Sequence, residues 1–159
     1  MRKYIKYIVL SVVIGLFTNQ TSAQTSKYKC MLQMSNYVGE GAYIVVSLIN
    51  PKGQYEKTLY VMGDDKKWYK DIKEWYKFYK KKNKVDAKTG ASIAGGDRSM
   101  TVLEIDDNKI NAGYKIRFES AVENQKYHVT DAEVSLTTEG LTEKTEGKGY
   151  IRYVKLSKM

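Results

Sequence analysis

Residues 114–119, Tyr-Lys-Ile-Arg-Phe-Glu, alternate without a break between apolar and charged side chains. Tyr114, Ile116 and Phe118 fall on one side, and Lys115, Arg117 and Glu119 on the other. Successive side chains of a strand point to opposite faces, so this run predicts a strand with one face in a core and one in water. The pattern recurs along the chain. Tyr28, Cys30, Leu32 and Met34 share one side of an earlier strand, and residues 42–49 are a β-branched run that reads as a buried one. Strand character returns at 57–62, 99–105, 127–137 and 149–156, the last two separated by a polar segment rich in Thr, Glu, Lys and Gly. Asn50-Pro51-Lys52-Gly53 is a turn in which Pro sets the first central dihedral and Gly supplies a positive one, so the strands on either side of it form a hairpin.

One stretch departs from this period. Over residues 66–82, Trp68, Ile72, Trp75 and Tyr79 follow helical spacing and Tyr69 and Tyr76 widen the stripe, while Lys66, Lys70, Lys73, Lys77 and Lys80 occupy the opposite face. Asp64 or Asp65 can cap its start, and the lysines at its end suit the negative pole of a helix. About seven strands with short turns and one inserted amphipathic helix predict a mostly β fold, an immunoglobulin-like β-sandwich. No internal repeat or long linker divides it.

The N-terminus reads differently from the rest. Arg2, Lys3 and Lys6 precede an apolar run over 7–17, and Thr21-Ser22-Ala23 offers small residues for cleavage before Gln24. The apolar run is too short to span a bilayer, so residues 1–23 are expected to be a secretory signal peptide and 24–159 a single exported domain with no transmembrane segment. Cys30 is then an unpaired cysteine in an oxidising compartment, best read as a small buried residue on the first strand. Without the signal, 24 basic residues face 18 acidic ones. The excess is local, because residues 66–84 hold nine lysines against Asp71 and Glu74. That distribution argues against a nucleic-acid binder with a broad basic face.

Residues 86–92, Asp-Ala-Lys-Thr-Gly-Ala-Ser, combine an acid, a small flexible centre and a final hydroxyl. A side-chain oxygen that must enter another enzyme's active site needs small neighbours, which Gly90 and Ala91 provide. Asp86 and Thr89 can hold the loop by bonding local amides. The segment resembles the acceptor motif for covalent flavin attachment, Asp-x-x-(Ser/Thr)-Gly-Ala-(Thr/Ser). That resemblance implies that a periplasmic flavin transferase moves FMN from FAD onto Ser92, with Asp86, Thr89, Gly90 and Ala91 forming the recognised cofactor-attachment segment. Lys84, Lys88 and Arg98 flank it and are candidates to neutralise phosphate charge, and Trp68, Trp75 and Tyr79 are candidates to pack near the flavin ring or to be core.

The order of features, a hairpin with Tyr43-Ile44-Val45-Val46 and Tyr55-Glu56-Lys57-Thr58-Leu59, then Trp68 and Trp75, then 86–92, then Gly113-Tyr114-Lys115-Ile116-Arg117-Phe118-Glu119, resembles a family of predicted periplasmic proteins, domain-of-unknown-function family twenty-two seventy-one. The family's similarity to the immunoglobulin-like part of flagellar hook-capping proteins is one of fold only. Membership implies export, and partners that include a flavin transferase and a membrane-bound reductase-like protein.

Two functions follow as expectations. The first is an extracytoplasmic electron carrier with FMN tethered at Ser92, the redox chemistry belonging to the flavin ring. The second is a non-enzymatic accessory module of a periplasmic system, such as iron uptake, docking through the lysine face of the helix. A hydrolase is disfavoured. The sole histidine, His128, lies on an alternating strand without a paired base or metal cluster and is expected to be structural.

Overall fold

The computed structural model describes residues 24–82, 85 and 87–159. The expected signal peptide, Lys84 and Asp86 lie outside the described residues. Among the described residues nine strands form two sheets. β1 (Thr25–Met34), β5 (Arg98–Asp106), β8 (Lys144–Glu146) and β9 (Ile151–Lys158) make a four-stranded sheet in the order β5-β1-β9-β8. β2 (Tyr43–Ile49), β3 (Tyr55–Met62), β4 (Lys88–Gly90), β6 (Lys115–Ala121) and β7 (His128–Ser135) make a five-stranded sheet in the order β4-β3-β2-β6-β7. The result is a β-sandwich with one α-helix, α1 (Lys73–Lys82).

The alternation read from the sequence decides what fills the space between the sheets. Tyr28, Cys30, Leu32 and Met34 on β1 meet Ile44, Val46 and Leu48 on β2 and Ile116 and Phe118 on β6 in one buried cluster. Burial pushes the Cys30 thiol up to about 12, which leaves it uncharged and unreactive at neutral pH. β2 and β3 pair as the expected hairpin. Its turn is held by the Asn50 side chain, which accepts from the Lys52 and Gln54 amides at 2.9 and 3.0 Å, and by Gly53 at φ +78°.

A second apolar layer covers the other face of the five-stranded sheet. Val45, Val61 and Ala121 from the strands pack against Tyr69, Ile72 and Trp75. The single helix expected over 66–82 is in fact two pieces, a 3-10 helix Lys66–Asp71 followed by α1, with the break at Ile72 (φ −85°, ψ 71°). Asp65 caps the first piece by accepting from the Lys67 amide at 3.1 Å. Side chains three apart eclipse one another in a 3-10 turn, so the inward positions become Tyr69, Ile72 and Trp75. Trp68, which regular helical spacing places inside, is turned outward and only half buried.

Two strands had no sequence signal. β4 is a three-residue strand parallel to β3, inside the stretch expected to be a loop. β8 lies in the polar segment between the last two expected strands and pairs with β9.

A buried carboxylate fastens the two sheets together. Asp131 on β7 is fully buried and accepts from the Ser120 hydroxyl and from the amides of Lys148, Gly149 and Ile151, the last three at 2.9, 2.7 and 3.0 Å. Ser120 belongs to β6 and Ile151 opens β9, so one side chain ties the five-stranded sheet to the start of a strand in the other.

Candidate functional site

The segment ending at Ser92 is tethered on both sides. Upstream, Tyr60, Val61 and Met62 of β3 pair with Lys88, Thr89 and Gly90, and the Gly63 amide donates to the Gly90 carbonyl at 2.6 Å. A β-carbon on Gly90 would lie 2.6 Å from the Tyr60 hydroxyl oxygen, so a larger residue here would have to displace the Tyr60 side chain. Downstream, Ile93 and Ala42 exchange amide-to-carbonyl bonds at 2.8 and 3.1 Å. The Tyr37 hydroxyl locks that bridge, donating to the Ile93 carbonyl at 2.7 Å and accepting from the Ala42 amide at 2.8 Å. Between these anchors Ala91 and Ser92 are exposed, as is Thr89.

Ser92 stands directly over Gly41, where a β-carbon would lie 2.5 Å from the Ser92 Oγ. Its hydroxyl is on the lip of a cleft of about 160 Å³ whose wall includes Tyr43 and Trp68. The Trp68 ring carries the Lys67 ammonium at 5.0 Å from its centroid, and Tyr43 meets Tyr69 edge-on at 6.5 Å. Three acids complete the lining: Glu40, Asp71 and Glu123.

Neither of the described basic candidates, Lys88 and Arg98, lines the cleft. Lys88 lines separate grooves on the other side of β4, and Arg98 donates to the Gln33 side chain at 3.0 Å. Lys88 lies within β4 beside β3, whereas Ser92 lies beyond the end of β4, next to the Ala42–Ile93 bridge. Of the three aromatic candidates, only Trp68 reaches the cleft. Trp75 is fully buried, donates its indole Nε1–H to the Thr58 hydroxyl at 2.9 Å and stacks on Tyr79 with centroids 5.2 Å apart. Trp75 is core, and Tyr79 is partly buried and packs against it.

These groups suit an attached FMN in two respects and constrain it in a third. The hydroxyl is exposed, and the anchors that must loosen for it to enter another active site are a three-residue edge strand and one bridge, each backbone bond worth only about 0.5–1.5 kcal/mol. Trp68 offers a flat aromatic face beside it. The acid lining, however, disfavours a phosphate inside the cleft. The cleft is also smaller than the roughly 300–1,000 Å³ of sites that enclose a ligand, so a tethered flavin would stay largely exposed.

A buried polar cluster behind the helix escaped sequence reading altogether. Glu119, expected on a solvent face, is fully buried because α1 covers that face. It accepts from the hydroxyls of Tyr55, at 2.5 Å, and Tyr127, and from the Trp75 amide. Tyr127, just ahead of β7, in turn accepts from the Glu74 amide at 3.1 Å, so residues outside the helix supply the caps that the first turn of α1 lacks. Burial raises the pKa of Glu119 despite these bonds. A carboxyl whose pKa is higher folded than unfolded binds more protons in the native state, so its contribution makes stability fall as pH rises above the ordinary carboxyl value of about 4.3 and level off beyond its raised one. Glu119→Gln keeps an acceptor oxygen and cannot ionise. The difference between wild-type and variant urea midpoints is therefore expected to move in the variant's favour from pH 4 to pH 8, and a constant difference would contradict the assignment.

His128 packs edge-on against Tyr150 with ring centroids 5.1 Å apart. Among the described residues no three His, Cys, Asp or Glu side chains are grouped to hold a metal ion, and no helix is long and apolar enough to cross a membrane. No curated protein and no solved structure matches the chain. A family model described as "Predicted periplasmic protein (DUF2271)" matches residues 25–153, nearly the whole sandwich. The chain thus belongs to the DUF2271 family of predicted periplasmic proteins, which places it outside the cytoplasm.

Proposed function

We propose that this periplasmic protein is an electron carrier with FMN covalently attached at Ser92. The observation that carries the reading is the exposed Ser92 hydroxyl, held at the end of an acceptor-like segment on the lip of a cleft walled by the outward-turned Trp68. In the attachment step a periplasmic flavin transferase directs the Ser92 Oγ onto the FMN phosphorus of FAD. The Oγ–P bond forms, the phosphoanhydride bond breaks, AMP leaves and the hydroxyl proton passes to a base on the transferase. Once bound, the flavin supplies the redox chemistry. The chain's own part is to fix the tether between β4 and the Ala42–Ile93 bridge, to offer Trp68 as a platform and to leave the site open to a membrane-bound reductase-like donor and to an acceptor.

Co-expression with a flavin transferase is expected to add the mass of FMN less one water and a yellow chromophore that survives denaturation. Ser92→Ala removes the only oxygen at that position and is expected to abolish the adduct with the fold intact, because the residue is exposed; Ser92→Thr is expected to keep it. Wild-type protein without the mass shift, in the presence of active transferase and FAD, would overturn the reading, as would an adduct that persists in Ser92→Ala.

That outcome would leave the second reading, a non-enzymatic accessory module. Its support is the lysine face: Lys66, Lys70, Lys73, Lys80 and Lys81 are exposed, whereas Lys67 and Lys77 are paired with Asp65 and Glu74. An unneutralised basic face of this kind steers acidic partners.

A further inference from the structure

We propose that β5 is a homodimerisation edge, on which two copies of this chain pair antiparallel about a two-fold axis at Thr101 and join their four-stranded sheets into one continuous sheet. The proposal is independent of any flavin at Ser92.

Among the described residues β5 ends its sheet, with β1 as its only hydrogen-bonded neighbour, and all nine of its residues pair with β1 in unbroken register. Its far side therefore presents a straight row of backbone donors and acceptors. Native sheets blunt such edges with proline, bulges or very short strands. The other edges here follow that rule: β4 and β8 have three residues each, and the pairing of β7 with β6 carries a register shift. β5 has none of these devices. Beside it lies an open groove of about 640 Å³, flanked by Met100, Thr101 and Val102 on one side and Lys88 and Thr89 on the other.

The edge is complementary to itself. Leu103 and Ile105 point inward and are buried, while Arg98, Met100 and Glu104 are exposed and Val102 is half buried. With the axis at Thr101, Arg98 lies opposite Glu104 of the second copy and Met100 opposite Val102 of the second copy, and the two-fold repeats both pairs. The outer face of the new ladder then has two apolar pairs at its centre and an Arg–Glu pair at each end, the cross-strand arrangements that stabilise a sheet. Moving the axis to Val102 would pair Arg98 with Asp106 but set Met100 against Glu104, so the central apolar pairs are lost. Among the described residues neither Arg98 nor Glu104 is in an ion pair within the chain, and Arg98 gives only its Nε–H to Gln33, so both charges lack a counter-ion.

Sedimentation equilibrium of the exported protein at low salt is expected to show a monomer–dimer equilibrium. Arg98→Glu places like charges opposite each other at both ends and is expected to weaken dimerisation by about tenfold or more, and Glu104→Arg likewise. The double variant R98E/E104R recreates both pairs with their signs exchanged and is expected to restore the wild-type association constant, a recovery that a folding defect would not produce. A wild-type protein that stays monomeric, single variants that dimerise like wild type, or a double variant as weak as the singles would each overturn the proposal. The first of these outcomes would leave the edge to a strand from a different protein.

Discussion

Asp131→Ala is expected to lower the unfolding free energy by at least about 3 kcal/mol, a large part of the 5–15 kcal/mol typical of a single domain. The variant leaves the Ser120 hydroxyl and the Gly149 and Ile151 amides without their acceptor at a fully buried position, while the Lys148 amide keeps its bond to the residue-131 backbone carbonyl at 2.8 Å. An unsatisfied buried donor costs about 1–3 kcal/mol, and part of the loss is recovered if water enters. The turn that opens β9 depends on two of those bonds, so the damage should spread to the pairing of β9 with β1 and β8. Asp131→Asn is expected to cost nearly as much, since its amide would turn a donor toward donors. Urea denaturation followed by circular dichroism measures both. A drop below about 1 kcal/mol in the alanine variant would mean that the sheets do not depend on this carboxylate.

Trp75→Ala is the second large effect, about 3–5 kcal/mol by the usual cost of deleting a buried aromatic side chain. Trp75 is the largest fully buried side chain, wedged between the outer face of the five-stranded sheet and the stacked ring of Tyr79, with Tyr69 edge-on at 5.2 Å. Its removal leaves a cavity and strands the Thr58 hydroxyl. Trp75→Phe fills most of the volume and loses the indole hydrogen bond, so it should fall between wild type and alanine. The same urea titration decides it, and equal stability of wild type and Trp75→Ala would show that the helix does not pack through this residue.

Where the period of two ran against a single buried layer, sequence reading and structure agree. The one-sided strand Tyr28, Cys30, Leu32 and Met34 packs as expected, and so do Ile116 and Phe118. The failures have a common origin in tertiary contact. Glu119 looks like a solvent residue because nothing within its strand reveals that a helix 40 or so residues earlier will cover it. The helix itself breaks because packing Tyr69, Ile72 and Trp75 on one line suits 3-10 spacing in its first part. β4 and β8 are too short to develop a pattern and exist only because a longer neighbour supplies their bonds. At the candidate site, Thr89, Gly90, Ala91 and Ser92 could be singled out from local chemistry. The cleft beside Ser92 could not, since Glu40, Asp71 and Glu123 come from three segments far apart in the chain.

β2 illustrates how a two-sided layer changes the problem of strand alignment. Ile44, Val46 and Leu48 face one core and Val45 the other, so sliding β2 by a single residue would exchange one apolar set for another at little hydrophobic cost. Its seven-residue partner β6 lacks that freedom. A one-residue slip of β6 would carry the Glu119 carboxylate from its tyrosine donors into the apolar layer between the sheets, where a charge without partners is strongly disfavoured. The buried glutamate thus discriminates between the native pairing and its nearest misfolded competitor. The whole central sheet inherits its alignment from a polar residue on the strand next door.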